Sequence, residues 1–529
     1  MKRYVYIIIT LGFLMLWSSC RKDFEFSPSS GSLQFSKDTV YLDTIFSNIG
    51  SSTYNLKVYN RSDNDISIPS VRLALGETSN YRLNVDGIAG KTFEDIELLA
   101  KDSLFIFVES TIDINNFPNP DNEYLYTDQI EFDAGNNLQK VELVTLVKDA
   151  VFIYPDRDET TKVIETLKIT IDGEEFETDL QGRELLPEEL TFTNEKPYVI
   201  YGYAAVPENR TLTIDPGARL HFHEDSGIIV FDNASIKVNG SHSTDQEKLE
   251  NEVIFESDRL EPMFSNVPGQ WGTIWLFEGS INNTISYATI KNATVGILCD
   301  GNVEGTDNIF NPGVSNDKLS INNTQIYNSA SFGILGRNTS INGENLVINN
   351  SGFASFAGTL GGKYNLTHST IANYWNNGFR QIPSLLINNF IIDEDETLVI
   401  ADLVEANFNN CIIYGNENNE FLLDEIDDEA VAFNFKFTNC LVKFRDTNDE
   451  FEGPNYDFEN TDLYENIIFN EEPDFKDPST NSLIIGSESA GVNQGNIEFA
   501  SQVPFDLLNV NRTASPDIGA YQNIVFPEE

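Results

Sequence analysis

The sequence predicts an all-β chain in two bodies: an N-terminal antiparallel β-sandwich, then a coil of short parallel strands. Three observations carry this. Apolar runs of period two, bounded by Asn, Asp and Gly, fill residues 32–154. Beyond Lys196-Pro197-Tyr198, apolar pairs recur every eight residues. Further on, an Ile-x-Asn triplet returns at intervals of 22 and 23 residues. Composition agrees, since 40% hydrophobic and 12% aromatic residues are enough to bury a large core. The 33 Lys and Arg stand against 83 Asp and Glu, a formal charge of −50. So acidic a surface repels phosphate backbones and would release no counterions on DNA or RNA, which argues against a nucleic-acid partner. Anionic polysaccharides are disfavoured for the same reason.

The first element is a leader, residues 1–19. Lys2 and Arg3 precede an apolar run from Tyr4 to Trp17 and then Ser18-Ser19-Cys20. That run is too short to span a bilayer permanently and reads as an export signal. Residues 20–31 form a tether, and residues 32–154 an immunoglobulin-like sandwich with Leu56 and Val58, Leu104, Ile106 and Val108, and Ile130 and Phe132 on strand faces. The charged, Pro-interrupted stretch 155–193 is expected to be a connector carrying one or two strands.

From residue 194 the pairs Leu212 and Ile214, Leu220 and Phe222, Ile228 and Val230, and Ile236 and Val238 each lie at i, i+2 and share one strand face. Strands turning at a constant step, with three to a coil, wind round an axis. Ile290-Lys291-Asn292, Ile326-Tyr327-Asn328, Ile348-Asn349-Asn350 and Ile371-Ala372-Asn373 mark successive coils, the first set apart by an insertion at 301–317. Coils about 4.8 Å apart would let these amides hydrogen-bond in a column. Asn409-Asn410-Cys411 and Asn439-Cys440 look like two further equivalent turns, with the thiols inside as small hydrophobes and a disulfide between them left open.

Two resemblances follow. Leu16-Trp17-Ser18-Ser19-Cys20 resembles the lipobox of bacterial lipoproteins, which implies acylation of Cys20, although Trp17 departs from the usual small aliphatic residue. The following Arg21-Lys22-Asp23-Phe24-Glu25 is similar to the export signal of Bacteroidetes surface lipoproteins, with Lys22, Asp23 and Glu25 carrying it. Residues 194–525 resemble a right-handed parallel β-helix of the pectate-lyase-like superfamily with a C-terminal cap. Lys196 to Tyr203, Leu220-His-Phe-His223, Asp258-Arg259, Pro268-Gly-Gln-Trp-Gly272 and Ser515-Pro-Asp-Ile-Gly-Ala-Tyr521 match surface lipoproteins of that architecture whose function is undetermined. The implied location is the outer membrane, lipid-anchored and facing outward, with the membrane contacted through the anchor.

Enzymes of that superfamily need titratable groups converging on an outward face: a Lys or Arg base with carboxylate-held calcium, or several Asp residues on neighbouring coils. Between 201 and 480 there are 14 Lys or Arg, with no recurrence at coil spacing. His368 and Arg380 are the candidate bases, weighed against a turn histidine and a solvated loop charge. His221 and His223 should share an outward face beside Glu224 and Asp225 and are metal candidates, as are Asp424, Asp427 and Asp428 in an acidic run. That run lacks the Gly-punctuated order of a calcium loop, so weak Ca2+ binding without a defined site, and no other cofactor, is expected. Trp271, Trp275, Tyr374 and Trp375 are candidates for sugar contact. The expected function is a non-catalytic β-helix that binds a neutral polysaccharide or a surface protein. The alternatives are a polysaccharide lyase or glycoside hydrolase, and a structural or adhesive element.

Overall fold

The computed structural model describes residues 25–117, 122–171, 174–301, 318–392, 396–429 and 431–527. The chain divides into two compact units at Asp149/Ala150.

In the first unit two sheets enclose one core. The larger runs in the order Ser27–Pro28, Ile66–Leu73, Glu123–Phe132, Gln139–Lys148, Thr39–Phe46, with Thr92–Leu98 also on Ile66–Leu73. The smaller is Gln34–Phe35, Tyr54–Tyr59, Ser103–Ser110, Tyr81–Val85, Ile88–Gly90. Period two explains the inside: Leu56 faces Ile106 across the strands, Leu83 faces Val108, and all four are buried. The pairing is mostly antiparallel. Two edges depart from it, since Thr39–Phe46 runs parallel to Gln139–Lys148 and Ser27–Pro28 parallel to Ile66–Leu73.

The second unit is a parallel β-helix. Among the described residues its three long sheets have eleven, ten and ten strands, and nearly every strand pairs in parallel with the one three later in the chain. Each such step is one coil. In the first sheet the inward column is Leu220, Phe255, Ile290, Ile326, Ile348, Ile371, Ile413 and Val442, every member in register with the next. The Ile-x-Asn spacing is therefore the coil length itself. The second sheet stacks Ile228, Ile274, Ile297, Ile334, Phe356, Leu385 and Phe421 in the same way. Aromatic rings fill the last coils, where Phe444 lies 4.8 Å from Phe421 and 5.1 Å from Phe451, and Phe458 lies 4.7 Å from Phe469.

The stretch 155–193 is not a separate connector. Val151–Ile153 already pairs with Tyr198–Ile200, and Glu174–Glu184 and Thr191–Phe192 pair with Tyr203–Val206 and Thr211–Ile214. The strand Thr166–Ile171 forms an antiparallel hairpin with Glu174–Glu184. It buries Leu167 and Ile169 on the outside of the second sheet, against Ala205, Ile229, Phe231 and Phe277. Its charges suggested a linker because only alternate positions of the hairpin meet the coil.

Residues 471–524 form an arm containing the hairpin Phe475–Asp477 with Ser482–Ile485 and the helix Ile497–Gln502. Leu483, Leu507, Ala520 and Tyr521 pack on the outward Val347 and Ala372, and Ile485 and Ile518 on Ile412, Tyr414 and Leu441. The motif Ser515 to Tyr521 thus lies along the side of the coil, while the aromatic rings fill its end.

Candidate functional site

Of the proposed anchor, Cys20, Lys22 and Asp23 lie outside the described residues; Glu25 is the first described and is exposed.

Neither candidate base is available to a substrate. His368 is fully buried, its Nε2 2.9 Å from the Asn410 amide nitrogen and its Nδ1 3.4 Å from the Gly519 carbonyl. Burial, with the Arg512 guanidinium nearby, holds its pKa well below the ordinary 6.5. Arg380 is not a solvated loop charge. It is 7% exposed and forms a fork on Glu420 at 2.9 and 2.6 Å, with further bonds to the carbonyls of Ile382 and Asn373. Glu420 is itself buried and accepts from the Ser384 and Glu417 amides. The pair pins the turn 374–384 to the coil.

The metal candidates do not converge. His221 is buried on the first sheet with Nδ1 3.1 Å from the Ser257 carbonyl and 3.7 Å from Glu256; His223 begins the next turn and pairs with Asp258 at 2.8 Å. That hydrogen bond raises the His223 pKa. Their partners come from the following coil, not from Glu224 and Asp225. Asp424 ends the strand Phe421–Asp424, several coils away, with Asp427 and Asp428 in the loop after it. Among the described residues no group of three or more His, Cys, Asp or Glu is placed to hold a metal ion.

A charged row on the first sheet escaped sequence reading. His221, Glu256 and Lys291 are register neighbours, with Lys291 Nζ 2.6 Å from Glu256. Burial alone would raise Glu256, but His221 and Lys291 outweigh it and the carboxyl is held below its usual range. Glu252 is pushed up by burial and accepts from the Thr289 hydroxyl at 3.3 Å. The signal was present: these three positions are 35 residues apart, a coil lengthened by two loops.

Three of the four candidate sugar-contact aromatics are packed into the protein. Trp271 is a core residue, 1% exposed, stacked on Phe222 at 4.3 Å with its Nε1 donating to the Lys291 carbonyl. Trp275 points outward, but it packs on the hairpin core and donates to Asp300 at 2.8 Å. Tyr374 lies under the C-terminal arm, its ring 6.1 Å from Phe475.

Trp375 remains half-buried at the corner between the first and second sheets, where the turns differ in length. Thirteen residues link Ser257 to Trp271 and eleven link Asn373 to Leu385, whereas four suffice between Ser329 and Ile334 and again between Ser351 and Phe356. The two short turns form a shelf between two long loops. Phe332 and Phe353, on successive coils of the shelf, are 5.6 Å apart and nearly parallel at 19°. A Cβ at Gly352 would come within 3.4 Å of the Trp375 ring, so that ring, from the next coil, lies against the turn that carries Phe353. Phe353 is half exposed, Phe379 fully so, and Val267 and Met263 on the opposite loop are 40% and 77% exposed. Asn416 holds the Trp375 carbonyl at 3.1 Å. An apolar strip rimmed by Ser331, Asn376 and Asn377 is the kind of surface that binds a ligand. Separately, a cleft of about 520 Å³ opens beside the hairpin. Six carboxylates, Asp156, Glu165, Glu175, Glu184, Glu208 and Asp232, line it with Lys168 and Arg183, beside Phe231 and Phe277.

Sheet order and surface together define an all-β protein, a sandwich joined to a parallel β-helix. No family model matches the chain, and no curated protein matches it. Among solved structures it is similar to the catalytic unit of a GH87 α-1,3-glucanase from Streptomyces thermodiastaticus, at 10% identity over 73% of this chain and 79% of that one, TM-score 0.24. Residues amounting to 24% of the chain are similar to 89% of a PapD-like domain of human CEP192, at 11% identity and TM-score 0.15. The E. coli chaperone DraB is matched over 24% of this chain and 58% of its own, at 15% identity and TM-score 0.16.

Proposed function

We propose that this chain is a lipid-anchored protein of the outer-membrane surface whose β-helix binds a neutral glycan at the aromatic shelf without transforming it. The carrying observation is the set Phe332, Phe353 and Trp375 on consecutive coils, Phe353 half exposed and the other two partly buried, bounded by longer loops. Such rings offer apolar area to the C–H faces of sugars, and the surrounding amides and hydroxyls can pair with sugar hydroxyls. The acidic chain favours uncharged ligands over uronates. The non-catalytic part rests on His368 and Arg380 being committed to structural bonds.

Calorimetric titration against neutral and uronate-containing polysaccharides tests the reading. Binding to a neutral glycan is expected to fall about tenfold or more in Trp375→Ala and Phe353→Ala, since each removes an apolar contact of roughly 1.4 kcal/mol or more. Release of reducing or unsaturated ends from any substrate would overturn it. Mass spectrometry of Cys20 and protease shaving of intact cells test the anchoring and the outward display.

A further inference from the structure

The outer face of the smaller sandwich sheet does not look like a face meant for water. Its inward positions are Leu56, Val58, Leu83, Val85, Ile106 and Val108, all buried. Alternation should then make the opposite side polar. Instead the strand Ser103–Ser110, which has a neighbour on each side, puts Phe105 and Phe107 there, 46% and 43% exposed. Their rings lie 6.2 Å apart at 16°, and Ile88 on the edge strand is 62% exposed. Cations surround this apolar strip. Lys57 Nζ sits 5.0 Å from the Phe105 ring and 5.4 Å from that of Tyr59, and Arg61 lies 4.1 Å over Tyr59. Arg82 stands at the far end, 3.7 Å from Glu109. In a chain with 83 acidic and 33 basic residues, Lys57, Arg61 and Arg82 gather beside this strip.

We propose that this face rests on a phospholipid bilayer containing anionic headgroups. Exposed Phe side chains can enter the headgroup boundary, while Lys and Arg stems lie along the rings and leave their charges at the phosphates. Chain length supplies the second argument, and it rests on the anchoring reading above. Four residues separate Cys20 from Glu25, and the five steps between them span at most about 18 Å. The sandwich begins at Ser27, so an acyl group on Cys20 would hold this unit close to the membrane.

The test uses the full mature chain with Cys20→Ser, so that no acyl group contributes. It is floated with vesicles of phosphatidylcholine alone and of phosphatidylcholine with an equal part of phosphatidylglycerol. Flotation with the mixed vesicles is expected, weakened by added salt. The double variant Phe105→Ser/Phe107→Ser should lower partitioning about tenfold or more with an unchanged unfolding midpoint, because both positions face outward. Lys57→Gln with Arg61→Gln should weaken binding to the anionic vesicles specifically. No flotation of the Cys20→Ser chain, or equal flotation of the Phe variant, overturns the proposal. The Cys20 mass reads the anchor separately: an unmodified cysteine with a floating Cys20→Ser chain removes the anchor and leaves the face.

Discussion

His368 occupies a left-handed backbone position, φ 49°, that its neighbours in the stack fill with asparagine: Asn323, Asn345, Asn410, Asn439 and Asn466, at φ between 47° and 56°. Asparagine and histidine tolerate that region better than most residues. The imidazole also replaces an amide chemically. With Nδ1–H directed at the Gly519 carbonyl, Nε2 must accept from the Asn410 amide, which requires the neutral ring. Because the folded pKa lies below the unfolded value of 6.5, the unfolded chain takes up the proton first as pH drops. Stability is therefore full above pH 6.5 and declines below it, by about 1.4 kcal/mol per pH unit until the folded pKa is reached. His368→Asn should stay within about 1 kcal/mol of the parent at pH 7.5 and lose this part of the acid dependence. Urea midpoints at pH 7.5 and 5.5 measure it, and parallel declines in both proteins would show that the ring is not a buried neutral group. Sequence reading could name His368 but not its role, since its partners are Asn410 and Gly519, 42 and 151 residues away.

At the scale of elements, the amide column expected from Ile-x-Asn exists in part. Asn328 donates to Asn292 at 3.1 Å and Asn350 donates to Asn328 at 2.7 Å. Asn373 leaves the column and bonds the Ser351 backbone instead. Asn410 and Asn439 belong to a second column at the other end of the strand, and Cys411 and Cys440 beside them are buried free thiols. The strands were legible because inside and outside alternate locally. The arm was not, since its hold on the coil joins distant residues: Arg512 bonds Asn345, Gly519 donates to the Asn410 carbonyl, and Tyr521 bonds Gln325. The arm keeps Val347, Ala372, Ile412 and Leu441, all outward on the first sheet, fully buried. A chain ending at Asn470 should therefore expose a continuous apolar sheet face, bind a hydrophobic dye strongly and self-associate in light scattering. If it stayed monomeric and dye-silent, the arm would not be what covers that face.

At the scale of the whole molecule, the described residues form two principal cores with no residue in common. One gathers residues between Leu33 and Val147, the other residues between Ile153 and Tyr464. Both were readable in outline from where the apolar period changes. The shelf was not, because it is assembled from turns whose residues have no common pattern and meet only once the coils stack. Separate cores mean that all-or-none unfolding of the full chain is not the expectation. Large-to-small changes of a buried aromatic cost about 3–5 kcal/mol, so they label each core independently. Phe132→Ala, within the sandwich, should lower one calorimetric transition and leave the other in place; Phe356→Ala, within the coil, should do the reverse. A single transition lowered by either change would mean that the two units unfold as one, with an energetic link between them that the separate cores do not supply.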